Sequence, residues 1–164
     1  MKKISQQMKK SITYQIASTS LQFESGKQLF EEYALSLKVD LSFQNFSKEL
    51  ETIHEQYHEP EGALLLACDG QEFVGCSGVR KLDEETAELK RMYVKNEYRG
   101  YHIGVSLLER SIELARKLGC KTIRLDTLEN MTQAQQLYRS SGFYEISPYR
   151  FNPLPGTIYM EKRL

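Results

Sequence analysis

The run Glu88-Leu-Lys-Arg-Met-Tyr-Val94, continued by Lys95-Asn-Glu-Tyr-Arg-Gly-Tyr-His-Ile-Gly104 and Val105-Ser-Leu-Leu108, reads as a strand, a glycine-bearing loop and the start of a helix. Residues 87–94 alternate charged and apolar side chains, the two-residue period of a strand, and are expected at the centre of a sheet. After Gly104 the apolar residues fall at helical spacing, with Leu107, Leu108, Ser111, Ala115 and Leu118 inward and Gly119 as the C-terminal stop. A loop that opens a helix leaves several backbone N–H groups without partners, and the helix dipole adds about half a positive charge there. Glycines at 100 and 104 let a ligand approach the backbone, and Arg99 offers a planar, permanently charged fork for phosphate oxygens. The loop is therefore a candidate anion site. Its glycines are wrongly spaced for a dinucleotide site, and no Gly-Lys-Ser/Thr follows to make a P-loop.

Outward from this core, residues 63–68 and 72–79 read as strands joined by the hairpin signal Asp69-Gly70. Before them, residues 27–37 and 43–57 carry apolar side chains at helical spacing, and residues 12–17 alternate as a first strand. After the loop helix come a strand over 121–126, a helix over 132–141 stopped by Gly142, and strands over 143–146 and 157–162. The intervening segment 148–156, with three prolines, is unsuited to a central strand. An antiparallel hairpin half joined to a strand-helix-strand half predicts an α/β fold with a mixed, mostly antiparallel twisted sheet of six to seven strands and about four helices. Residues 1–11 read as a mobile arm and 12–164 as a single domain.

Lysine plus arginine and aspartate plus glutamate number 22 each, so no field of one sign points to a nucleic-acid or anionic-membrane partner. No stretch approaches the roughly 20 apolar residues that span a bilayer, and the basic N-terminus is not followed by a signal-peptide core. Cys68, Cys76 and Cys120 lack paired zinc spacing and read as free thiols in a reducing compartment, so a soluble cytoplasmic protein is expected. His54 and His58 lie one helical turn apart, but His102 is distant and no metal site is expected.

The stretch 88–108, with Ala134-x-x-Leu137-Tyr138 and Gly142-Phe143 downstream, resembles the GNAT superfamily of acyl-CoA N-acyltransferases from about Ile12 to the C-terminus. The resemblance implies a GNAT-like fold with acetyl-CoA as cosubstrate. Backbone groups of Met92, Tyr93 and Val94 would then pair with the pantetheine arm. N–H groups across Arg99, Gly100, Tyr101, His102, Ile103, Gly104 and Val105 would hold the pyrophosphate. His102 stands where the family's loop carries its first glycine, so its side chain either leans away from the phosphates or contacts them. Met131 stands where the later helix often has asparagine, and the adjacent Asn130 is carried as a cofactor-binding candidate. Relatives often form homodimers.

A lysine-like amine is mostly ammonium at neutral pH, and making it nucleophilic costs roughly 4.6 kcal/mol. Glu88, where the family commonly places a basic carboxylate, is the candidate proton acceptor, a role that requires burial to raise its pKa or a relay through water. Tyr138, matching the family's tyrosine, is the candidate acid for the departing thiolate. No Ser-His-Asp or Cys-His arrangement is present, so direct attack by the amine on the thioester is expected. Segment 148–156 should overhang the thioester end, with Tyr149, Arg150 and Asn152, and Arg91 from the central strand, as candidates for holding a small amine that bears a carboxylate. Rival readings are a peptide or protein N-terminal acceptor, a non-catalytic CoA-binding module, which His102 and Met131 favour, and a domain for another nucleotide.

Overall fold

A computed structural model describes residues 10–164, the side chain of Phe43 excepted. The expected arm, residues 1–11, falls almost wholly outside the described residues. After β1 (Ile12–Ile16), the Thr19 hydroxyl accepts from the Gln22 N–H at 3.2 Å while Gln22 Oε1 accepts from the Thr19 N–H at 3.1 Å. That reciprocal cap starts α1 (Ser20–Leu37) earlier than the expected residue 27. Ser25 and Gly26 weaken the helical signal, yet Gly26 has a packing reason: a Cβ there would meet Leu64 Cδ2 at 2.4 Å.

The helix expected over 43–57 is instead a 3-10 turn (Ser42–Gln44), α2 (Phe46–Glu51) and α3 (Ile53–Gln56). Asn45 turns left-handed at φ 55°, which its short polar side chain tolerates. Thr52 departs from helical geometry, and its hydroxyl bonds back to the Lys48 carbonyl at 2.7 Å. The apolar spacing survives these breaks, and Ile53 and Tyr57 are buried.

β2 (Gly62–Asp69) and β3 (Glu72–Lys81) form the expected hairpin, with Gly70 at φ 61° in its turn. β4 (Thr86–Val94), α4 (Ile103–Lys117), β5 (Thr122–Leu128), α5 (Thr132–Ser140), β6 (Tyr144–Ile146) and β7 (Thr157–Arg163) follow. The seven strands lie in the order β1-β2-β3-β4-β5-β7-β6, antiparallel except for β4 beside β5. β4 is central, as expected.

Both faces of the sheet are covered, which is why β2 reads as an unbroken apolar run. Ala63, Leu65 and Ala67 join the core beneath α4 with Leu107, Leu108 and Ile123, while Leu64, Leu66 and Cys68 join Phe23, Phe30 and Tyr57 on the α1 side. Burying a side chain such as Phe30, with none of its surface exposed, stabilises the fold by about 2–3 kcal/mol. Among the described residues no helix is long and apolar enough to cross a membrane.

Two irregularities make room for a site. β4 and β5 pair only from Thr86 to Glu88 against Thr122 to Arg124, although β4 stays paired to β3 as far as Val94 and β5 to β7 as far as Leu128. The sheet therefore splits into a wedge beyond Glu88. On the opposite edge of β4 the register with β3 shifts, and Arg91 adopts φ 56°. Such a bulge re-aims side chains locally, and a left-handed arginine within a strand is held there by its surroundings.

Candidate active site

A cavity of about 640 Å³ opens from the wedge along the N-terminal end of α4. Met92, Tyr93, Val94, Arg99, Gly100, His102, Ile103, Gly104, Val105 and Asn130 all line it. Tyr101 does not: its ring packs against the core under α4, so its side chain is no part of the cavity wall. The first intrahelical bond of α4 runs from the Ser106 N–H to the His102 carbonyl at 3.2 Å, which leaves the N–H groups of Ile103, Gly104 and Val105 without a carbonyl one turn earlier. Gly104 has no packing requirement for glycine, since an added Cβ would come no nearer than 3.7 Å to Leu137. Space for a ligand is the remaining physical reason for a glycine there. His102 is the N-cap at φ 60°, and its ring makes no capping hydrogen bond.

Deeper in the wedge a cavity of about 60 Å³ is lined by Lys90, Arg91, Met92, Asp126, Met131 and Tyr138 among others. Tyr33 and Met131 line both cavities, and both also border a smaller one that reaches Asn152 and Gln44. Beyond Gln44 lies an open pocket of about 470 Å³ walled by Arg80, Arg124, Tyr149, Arg150 and Phe151. Neighbouring spaces that share lining residues thus extend from the α4 loop to the arginine cluster.

The model of the acetyltransferase (GNAT) family matches residues 27–143. The chain belongs to the GNAT acetyltransferase family. It is 38% identical over 136 residues to an uncharacterised N-acetyltransferase of Schizosaccharomyces pombe, covering 82% of this chain and 83% of that protein. It is 30% identical over 138 residues to the N-acetylaspartate synthetase of Mus musculus, covering 80% of this chain but 46% of that longer protein. A solved GNAT-family acetyltransferase of Staphylococcus aureus superposes with a TM-score of 0.75 at 28% identity, covering 93% of this chain and 99% of that one. The protein is an acyl-CoA N-acyltransferase with the mixed α/β fold expected of it.

In this acetyltransferase Tyr138 is 7% exposed and borders the inner cavity. Burial above all, then Tyr33 and Asp126, pushes its phenol above the usual range. Tyr33 is pushed up to about 12 by burial, with Arg91 pulling the other way.

Glu88 is fully buried, but not in the setting a proton acceptor needs. Its Oε1 accepts from Arg80 Nε and a terminal Arg80 nitrogen at 3.2 Å each, and its Oε2 accepts from the Tyr149 hydroxyl at 2.8 Å and from Arg150. With both oxygens taken, largely by cations, Glu88 binds the arginine cluster, an arrangement unlike the uncommitted carboxylate expected of a proton acceptor. Arg91 is likewise engaged within the fold. Its guanidinium is buried and held by Glu49 at 2.9 and 3.5 Å, so its charge is already answered within the fold. Burial is the largest single influence and lowers the Arg91 pKa, but Glu49, Tyr57 and Tyr33 together leave it above the ordinary value.

Tyr149 and Arg150 do reach one pocket, whereas Asn152 serves its own loop: its Oδ1 accepts from the Leu154 N–H at 2.9 Å and its Nδ2 donates to Asp126 at 3.3 Å. Lys90, Asp126 and Tyr33 border the inner cavity and Glu49 holds Arg91, and the sequence singled out none of the four. A lysine on the central strand was the one legible signal; Tyr33 and Glu49 read as ordinary members of amphipathic helices. Among the described residues no group of three His, Cys, Asp or Glu side chains stands close enough to hold a metal.

Proposed function

We propose that this enzyme moves the acetyl group of acetyl-CoA to the amine of a small acceptor that carries at least one carboxylate, by direct attack on the thioester. The α4 loop would take the pyrophosphate on the amides of Ile103, Gly104 and Val105, with Arg99 beside them, and the unpaired edge of Met92 to Val94 would take the pantetheine arm as an added strand. The carrying observation is the pocket at the far end of the wedge. Arg80, Arg124 and Arg150 line it, and among the described residues Glu88 and Glu161 are the carboxylates that answer them. The buried Arg150 Nε has no hydrogen-bond partner. An unsatisfied buried donor and a surplus positive charge favour an anionic ligand, for which guanidinium is the preferred partner. The mouse relative is named for an acidic amino acid, which is compatible with this reading. The three free, buried cysteines support a reducing, cytoplasmic setting.

Thiol release from acetyl-CoA across an amine panel tests the acceptor class, with acidic amino acids expected to react best. Equal rates with neutral amines or with peptide N-termini would reject it. Arg150→Gln is expected to raise the acceptor KM about tenfold, as loss of a charge-assisted pair predicts, without altering the KM for acetyl-CoA.

His102→Gly is expected to tighten acetyl-CoA several-fold in calorimetric titration. It relieves a left-handed non-glycine residue that costs about 1–2 kcal/mol and lets the loop backbone approach the phosphates. Weaker binding would show instead that the imidazole itself contacts them.

A further inference from the structure

Lys90 sits where the fold has least use for an ammonium. Its side chain is 3% exposed, and its Nζ has two polar neighbours, Gln44 Oε1 at 3.4 Å and Glu88 Oε1 at 3.9 Å. That Glu88 oxygen is already bonded twice by Arg80. Three N–H donors with one long bond in a closed site are poorly compensated, and a buried amine in that position sheds its proton rather than keep the charge. Lys90 is also among the residues that border the inner cavity of the wedge, together with Tyr138, Asp126 and Met131. Its partner Gln44 borders the arginine pocket, and Met92 and Met131 of the inner cavity also line the larger one along α4.

We propose that Lys90, as a neutral amine held in place by Gln44 and Glu88, accepts the proton that the acceptor nitrogen sheds when it attacks the thioester. This rests on acetyl transfer taking place in the wedge. As the N–C bond forms, Lys90 takes the proton from nitrogen. The C–S bond then breaks, sulfur departs with the bonding pair, and Tyr138 protonates it. Lys90 returns its proton to the Tyr138 phenolate through cleft water, so neutral amine and thioester give amide and thiol with no net proton change. An acceptor that arrives as ammonium releases one further proton to solvent.

The charged groups around Lys90 act in both directions. Burial is the largest influence; Arg91 on its own strand and Arg80 on β3 also lower its pKa, while Glu49 on α2 and Asp126 on β5 raise it. Glu88, Tyr33, Tyr138 and the loop residues Tyr149 and Arg150 complete the surroundings. The outcome is a fall from 10.5 to about 7, so the neutral form is well populated at physiological pH. The fixed cations Arg80 and Arg91 keep the balance from reversing on small movements of the carboxylates.

Two variants and one titration test this. Lys90→Met keeps the volume without a base, and Lys90→Arg keeps a cation that cannot act as one. Both are expected to lose about 100-fold in kcat, within the range of general-base contributions, with the Kd for acetyl-CoA unchanged within threefold. The wild-type rate should show an inflection near pH 7 that both variants lack. Lys90→Met retaining kcat within threefold, or keeping the inflection, overturns the proposal. The Nζ resonance of Lys90 in ¹⁵N-lysine-labelled protein bound to acetyl-CoA, assigned by its loss in Lys90→Arg, is expected to titrate near pH 7. An ammonium that persists above pH 9 overturns the proposal whatever the acceptor is. Failure of every panel amine to release thiol would count against the acceptor class, and the titration would still decide Lys90.

Discussion

Tyr138→Phe is expected to lower kcat about 100-fold, in the range measured for general acids, while acetyl-CoA binding stays within threefold. The coenzyme leaves as a thiolate whose conjugate acid has an ordinary pKa of about 8.5, whereas a phenol sits near 10, so proton transfer is slightly uphill in water. Burial pushes the Tyr138 phenol higher still. It acts on the sulfur as well, because a thiolate stranded in the same narrow cavity loses hydration and becomes more basic. A positioned donor therefore matters most in this setting. The substitution removes one oxygen and leaves the ring on Phe143, whose centroid lies 5.8 Å away, so the melting temperature should barely move. Steady-state turnover paired with calorimetric binding separates the two effects. Unchanged turnover would take Tyr138 out of the chemistry.

Glu88→Ala should destabilise the protein by about 3–5 kcal/mol, the usual penalty for removing one partner of a buried ion pair. The carboxylate is buried with Arg80, Arg150 and the Tyr149 hydroxyl bonded to it and Lys90 at 3.9 Å. Its loss leaves these donors and positive charges facing one another in a site that water reaches poorly. In a chain of this length that loss corresponds to a fall in melting temperature of roughly 10 °C. Glu88→Gln should fall between, since an amide oxygen still accepts one hydrogen bond but answers no charge. Thermal unfolding by circular dichroism reads both. A loss under about 1 kcal/mol for Glu88→Ala, the size expected of an exposed pair, would mean that the cluster is solvated and that Glu88 is no anchor.

The α4 loop was legible because everything that marks it is local. Arg99, Gly100 and Gly104 lie within one turn of chain between a strand and a helix, and the wall they form follows from helix geometry alone. The centrality of β4 was legible for a related reason, since strand period and flanking turns are short-range features. Glu88 was singled out, but the partners that engage it were not legible. Its partners Arg80 and Tyr149 lie 8 and 61 residues away, and nothing along β4 announces that two arginines converge on it. Arg91 shows the same limit: Glu49, which neutralises it, lies 42 residues upstream on a helix that itself broke at Asn45 and Thr52.

Local pattern, then, was enough for the order of strands and helices, the glycine-bearing loop that opens α4 and the placement of Tyr138 on α5, because periodicity, capping and glycine placement act over a few residues. Which charges meet was settled by the folded chain. The split between β4 and β5, the bulge at Arg91 and the return of segment 148–156 over the sheet bring together groups from both halves of the chain, and coulombic energies depend on their distance and burial, not on their separation in sequence.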